Sequence, residues 1–202
     1  SELGVTPEYL QSKQLRTPHN AQLVFWETIE SISNNPDVGL FLGQHLPVFR
    51  GQVLEYLFLS SANFGEGLRR ALDYQRLISD ASNAELIVDD AHCYMLINTA
   101  SEDVRTLRHF NECFAQGLIA FFKFVTENVF EPDRIEFVHE APENSQEVTR
   151  VFGCEVVFGQ QENRLFFSKT VLNHTSPHAE PELMALHERL ASEQVARLEK
   201  MD

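Results

Sequence analysis

The chain has 202 residues, 43% of them hydrophobic and 10% aromatic, enough apolar material for the core of one domain and too much for a disordered polar segment. With 30 acidic against 16 basic residues the formal charge is −14, so the surface repels phosphate backbones and anionic membranes, and this stretch is expected to contact neither nucleic acid nor bilayer. Cys93, Cys113 and Cys154 form no C-x-x-C pair and suit reduced, buried thiols in the cytoplasm, while the most apolar run, 113–125, is about half the length that spans a bilayer.

In chain order, the first third predicts helices. Thr6 before Pro7 makes an N-cap and first-turn pair, and Asn20 is placed to cap a helix carrying Val24, Phe25, Ile29 and Ile32. A short helix follows Pro36 in "NNPDVGLFLGQHL". Val53 to Phe58 is apolar nearly all round, and helix is expected there because "NFGEGLRRALDYQRLISD" continues it, with Asn63 and Glu66 spaced as a capping box.

The pattern changes at residue 84. "AELIVDDAHCYMLIN" predicts strand, acidic turn, strand, and a long central helix is expected next, from Glu102 and Asp103 in its first turn through Val125. Its phenylalanines stand on several sides, as in a helix covered by neighbours on most of its surface. "DRIEFVH" alternates as a strand, and "NSQEVTRVFG" predicts a helix stopped by Gly153. Two further runs, 154–158 and 165–167, are expected to form a hairpin, Val156 and Phe158 facing Leu165 and Phe167, with Gly159 opening its loop. A charged helix starts near Pro181, with two apolar stripes: Leu183, Leu186 and Leu190, then Met184, Ala191, Val195 and Leu198. These elements predict an α+β fold, a helical N-terminal part packed on a mostly antiparallel sheet with a long central helix. The expected organisation is a body over 1–179 (helical to 83, α+β from 84) and a terminal helix over 180–202.

Signatures of reaction chemistry are sparse. His109 and Cys113 have a helical metal-ligand spacing but no second pair, so a core thiol beside a polar histidine is the better reading. His178 to Glu180, "HAE", is followed by no P-C-x-x-C, and His174 and His178 are separated by "TSP", which breaks helical geometry. Neither G-x-S-x-G nor a phosphate loop occurs, and Asp89 and Asp90 fall in a solvated turn. No catalytic residue, metal or cofactor is therefore expected. What stands out is 16 Phe, four Tyr and one Trp. Most of these rings suit a core, yet Arg50, Tyr56, Tyr74, Phe110, His139 and Arg164 combine aromatic bodies with polar groups beside apolar runs, as a mostly apolar ligand pocket requires. They are the candidate ligand-binding residues, for an apolar or amphipathic molecule whose carboxylate would meet an arginine.

The stretches "GLFLGQHL", "GQVLEYLFLSSANFGEGLRRALDYQRL", "IEFVHEAPEN" and "FGCEVVFGQQENRLFFSKTVL" together resemble the N-terminal domain of AraC-type transcription regulators, over most of residues 20 to 180. The matching positions are Gly39, Gly43, Ser60, Ser61, Phe64, Gly65, Leu68 and Tyr74, then Phe137, His139, Pro142, Phe152, Gly153, Val157, Phe158 and Gly159. The resemblance implies a cytoplasmic effector-sensing and homodimerising domain, with DNA contacted by a C-terminal helix-turn-helix region that 1–202 is not expected to include. Two alternatives stay open from the residues alone: a small-molecule enzyme using Asp89, His92 and His139, and an oligomerisation module without ligand.

Overall fold

The computed structural model describes residues 21–46, 48–79, 82–99 and 101–200; the expected caps at Thr6–Pro7 and Asn20 lie outside them. Among the described residues four helices come first, α1 (Ala21–Ser33), α2 (Val38–Gly43), α3 (Val53–Ser60) and α4 (Phe64–Asp73), and a 3₁₀ turn at Gln75–Leu77 ends this helical part. After β1 (Ser82–Val88) and β2 (Cys93–Thr99) come α5 (Glu102–Arg105), α6 (Arg108–Val125), β3 (Pro132–Glu136), α7 (Ser145–Phe152), β4 (Glu155–Val157), β5 (Asn163–Phe167) and α8 (Pro181–Glu199). The fold is α+β, as the sequence predicts.

Local chemistry explains most of these boundaries. Asn63 caps α4 by accepting the Glu66 N–H at 2.9 Å, and the Glu66 carboxylate returns to the N–H of Ala62, one residue before the reciprocal partner of a capping box. Gly153 ends α7 in the left-handed region at φ +70°, and Gly159 turns the chain at φ +66°. In α1 the buried ring is Trp26, tilted against His109 with centroids 5.9 Å apart, whereas Ile32 faces solvent.

Two expectations are corrected. The long helix is two helices, because Leu107 is extended and Asn111 satisfies the exposed end of α5. Its amide nitrogen lies 3.1, 3.0 and 2.8 Å from the carbonyls of Val104, Arg105 and Leu107. Strands β4 and β5 form no hairpin, because β3 lies between them in the order β1-β2-β5-β3-β4. Ile135 pairs with Val156 in parallel on one side and with Leu165 antiparallel on the other. The link from β3 to β4 runs through α7, as a parallel neighbour requires, and the loop after β4 folds over the end of β3, with Gln160 N–H donating to the Phe137 carbonyl. A strand whose side chains are buried needs partners along both edges, and alternation alone does not name them.

The core fills the space between α3, α4, α6 and one sheet face. Phe58, Phe64, Phe121, Phe122, Phe130 and Phe167 form one continuous aromatic cluster, with ring centroids from 5.1 to 6.5 Å apart. Helix α2 lies against α6 with glycine at the crossing: a Cβ on Gly39 would sit 2.5 Å from His109 Cα, and one on Gly43 would sit 2.6 Å from the Cys113 carbonyl. Helix α8 packs along α3.

Candidate functional site

Between α3, α4, the β1–β2 pair and α6 the packing leaves an apolar cavity of about 60 Å³. Leu54 and Phe58 of α3, Leu68, Ala71 and Leu72 of α4, Met95 and Ile97 of β2, and Phe110, Phe114, Leu118, Phe121 and Phe122 of α6 line it. The half-buried rings of Phe110 and Phe114 stack 6.1 Å apart at 7°. Polar groups enter only at one end, from Gln75 and from Asn98 and Thr99. There Gln75 grips the edge strand as a peptide group would: its Nε2 donates to the Ala84 carbonyl at 3.3 Å and its Oε1 accepts the Ala84 N–H at 2.7 Å.

Of the six candidate residues, only Phe110 lines this cavity. Tyr56 is 42% exposed and stacks on His187 of α8 at 5.4 Å. Tyr74 caps the C-terminal end of α4, half-buried against the core, and burial together with Glu188 raises its phenol above the usual range. Arg50 is paired with Glu55 at 3.4 Å and lies over the Phe124 ring. Arg164 projects from the sheet face opposite the buried Leu165, paired with Glu162 and Glu136 and lying over Tyr94. His139 is buried against Phe137 and Phe158, outside the cavity. Cavity contacts missed from the sequence include Gln75 and Ile97. Their signal was weak, since Gln75 is one polar residue in a turn and Ile97 one apolar residue in a strand.

A second, polar cluster joins α2, α6 and the segment after β3. Arg108 pairs with Asp37 and, at 2.9 Å, with Glu112; Asn144 donates to the same Asp37. Glu112 is fully buried, and that burial, opposed by Arg108, pushes its carboxyl up to about 6. His139 Nε2 lies 3.8 Å from it, while His139 Nδ1 bonds the Glu140 carbonyl, and burial pushes this imidazole down to about 4. Both groups are thus held toward their neutral forms. His109 bonds Glu30 at 3.0 Å, and burial raises its helical neighbour Cys113 to about 11, so that pair is occupied packing. Asp89 accepts the N–H groups of Ala91 and His92 in the exposed β1–β2 turn, whereas His139 is buried beside Glu112.

The α+β body thus holds an apolar cavity between helices and sheet, with no charged group lining it among the described residues. The chain belongs to the family described as the arabinose-binding domain of AraC transcription regulators, N-terminal, whose model matches residues 1–176. It is similar to the ornithine utilization regulator of Pseudomonas aeruginosa, 26% identical over 205 residues covering 96% of this chain and 58% of that protein. The fold is shared with the transcriptional regulator CdpR of Pseudomonas aeruginosa, at TM-score 0.65 and 16% identity over 88% of this chain and 57% of that one. The chain therefore spans under two thirds of the length of either relative. Among the described residues no helix is long and apolar enough to cross a membrane.

Proposed function

We propose that this chain is the effector-sensing and dimerisation part of an AraC-type regulator, working in the cytoplasm, with residues 1–179 as the sensor body and 180–202 as a helix leading toward a DNA-binding region of the full protein. The observation that carries the reading is the cavity between α3, α4, β2 and α6, an apolar space of a kind that close-packed protein interiors rarely leave. At about 60 Å³ it is below the roughly 150 Å³ that admits a benzene-sized ligand, so this is the closed form and an effector enters by displacing Phe110 and Phe114. The dimer surface is the outward leucine stripe of α8. DNA contact belongs to the remainder of the regulator, since a charge of −14 opposes it here.

The experiment is to denature the purified chain and identify released small molecules by mass spectrometry, beside an Ile97→Phe variant whose added ring fills the cavity. A molecule carried by the wild type and absent from the variant is expected. Release of the same molecule from both at equal yield would place it elsewhere. The small size of the closed cavity favours one second reading, an oligomerisation module without ligand; absence of a released molecule, with no metabolite in a panel raising the melting temperature, would establish it.

A further inference from the structure

The cavity's lining also restricts the charge of what enters. Among the described residues no lysine, arginine, histidine, aspartate or glutamate lines it. The cations adjacent in sequence to its walls face other groups: Arg50 pairs with Glu55, Arg70 with Glu66 and Glu188, Arg76 with Glu199 and Lys123 with Glu131, while Arg69 lines a separate polar depression beside Asn63 and Lys169; Arg108 and Arg164 pair with acidic partners outside it. An ionised carboxylate placed there would lose its hydration with no countercharge, which outweighs what a short alkyl chain recovers by burial.

The polar end of the cavity is neutral and half-occupied. The two hydrogen bonds from Gln75 to Ala84 leave one Nε2 hydrogen and one Oε1 lone pair. Thr99 donates its hydroxyl to the Ser101 carbonyl at 3.0 Å and can still accept. Asn98 alternates onto the other sheet face, so it meets the cavity through backbone. Gln75 and Thr99 thus offer one neutral donor and two neutral acceptors beside an otherwise apolar chamber.

We infer that the ligand class of this cavity is an uncharged molecule, an apolar body with one neutral hydrogen-bonding group set against Gln75 and Thr99, and not a carboxylate. This rests on the cavity being the effector site, and it replaces the carboxylate–arginine pairing expected from the sequence. A ligand whose polar group competes for Gln75 would also loosen the stitch that holds the edge of β1, which couples occupancy to the mouth.

The chain has three methionines, and two make a matched reporter: Met95 lines the cavity, while Met184 lies on α8. The test is a titration of the methyl-labelled 202-residue chain with hexan-1-ol, hexanamide and hexanoate at neutral pH, read by NMR. Expected is a saturable shift of the Met95 methyl with the alcohol and the amide, Met184 unmoved, and at least tenfold weaker binding of hexanoate. Ile97→Phe should abolish the response; should that variant not fold by circular dichroism, Ala71→Leu reduces the same space from the helix side. Hexanoate binding as tightly as hexan-1-ol, with loss in the cavity-filling variant, would overturn the charge argument and leave the effector site standing. No Met95 response to any probe, or equal movement of Met184, would overturn both.

Discussion

Gly39 and Gly43 show how single residues set this fold. Each faces backbone of α6, which cannot rotate away as a side-chain tip can, so the smallest substitution must push two helices apart. Gly39→Ala or Gly43→Ala is expected to cost about 1–3 kcal/mol, read as a lower urea midpoint at unchanged m-value. Gly153 differs: nothing lies within 4 Å of a Cβ there, and only its φ of +70° resists a side chain, so Gly153→Val should cost about 1–3 kcal/mol through backbone strain alone. The Glu112–His139 pair makes stability depend on pH through two opposed titrations. His139 is depressed from 6.5 to about 4, so its contribution is complete above 6.5 and is lost as pH falls toward 4. Glu112 is raised from 4.5 to about 6, so the stability it favours is present below 4.5 and is lost as pH rises through 6. Acidification from pH 7 to pH 5 therefore sets a loss from the histidine against a smaller gain from the glutamate. In His139→Phe only the gain survives: its stability should rise over that interval, the two proteins' responses differing by roughly 2 kcal/mol in urea titrations. Parallel responses would remove His139 from the account.

At the scale of elements, Asn111 decides where α6 begins. Its amide satisfies the carbonyl end of α5, and its Oδ1 lies 3.4 Å from Asn163 Nδ2, which ties the break to the start of β5. Asn111→Leu keeps the branched shape and removes the side-chain donor, so those carbonyls retain only the Leu107 N–H, Asn163 Nδ2 and the N–H of residue 111, an expected cost of roughly 1–3 kcal/mol with faster amide exchange confined first to residues 102–107. Uniform exchange across α6 instead would mean that the two helices behave as one. The β3 strand makes the complementary point. Its own residues announce a strand, but its seat between β4 and β5 follows from the crossover through α7, a relation between segments and not a property of either.

For the whole molecule, α8 presents its two stripes unequally. Ala191 is fully buried, with Met184, Val195 and Leu198 half-buried beside it, and Leu183, Leu186 and Leu190 are 48%, 47% and 40% exposed. The Met184, Ala191, Val195 and Leu198 stripe is thus taken up by the body's own packing, which leaves the leucine stripe for a symmetry mate. Sedimentation should show a dimer for the wild type and a monomer for Leu186→Glu, Leu190→Glu, with melting temperature little changed, since those side chains leave the body's own packing intact. Val195→Glu, Leu198→Glu should instead lower the melting temperature. A wild type that runs as a monomer at micromolar concentration would sink the dimer surface.

Sequence by itself determined the α+β class, the strand pair over 82–99, the capped start of α4, the glycine stop of α7 and the proline start of α8, because each depends on residues within a few positions of one another. The ordered series of short stretches likewise carried the family. Only the tertiary structure decided that β3 separates β4 from β5, that Asn111 cuts the long helix, and that Phe110 alone among the six candidates reaches the cavity. Arg50 and Arg164 carry charge beside apolar runs, yet such a position says nothing of which way a strand or loop residue points, and both pair with acidic partners away from the cavity. A cavity is the space left where four elements fail to fill a common centre; no segment encodes it, so it becomes visible only once their crossing distances are set.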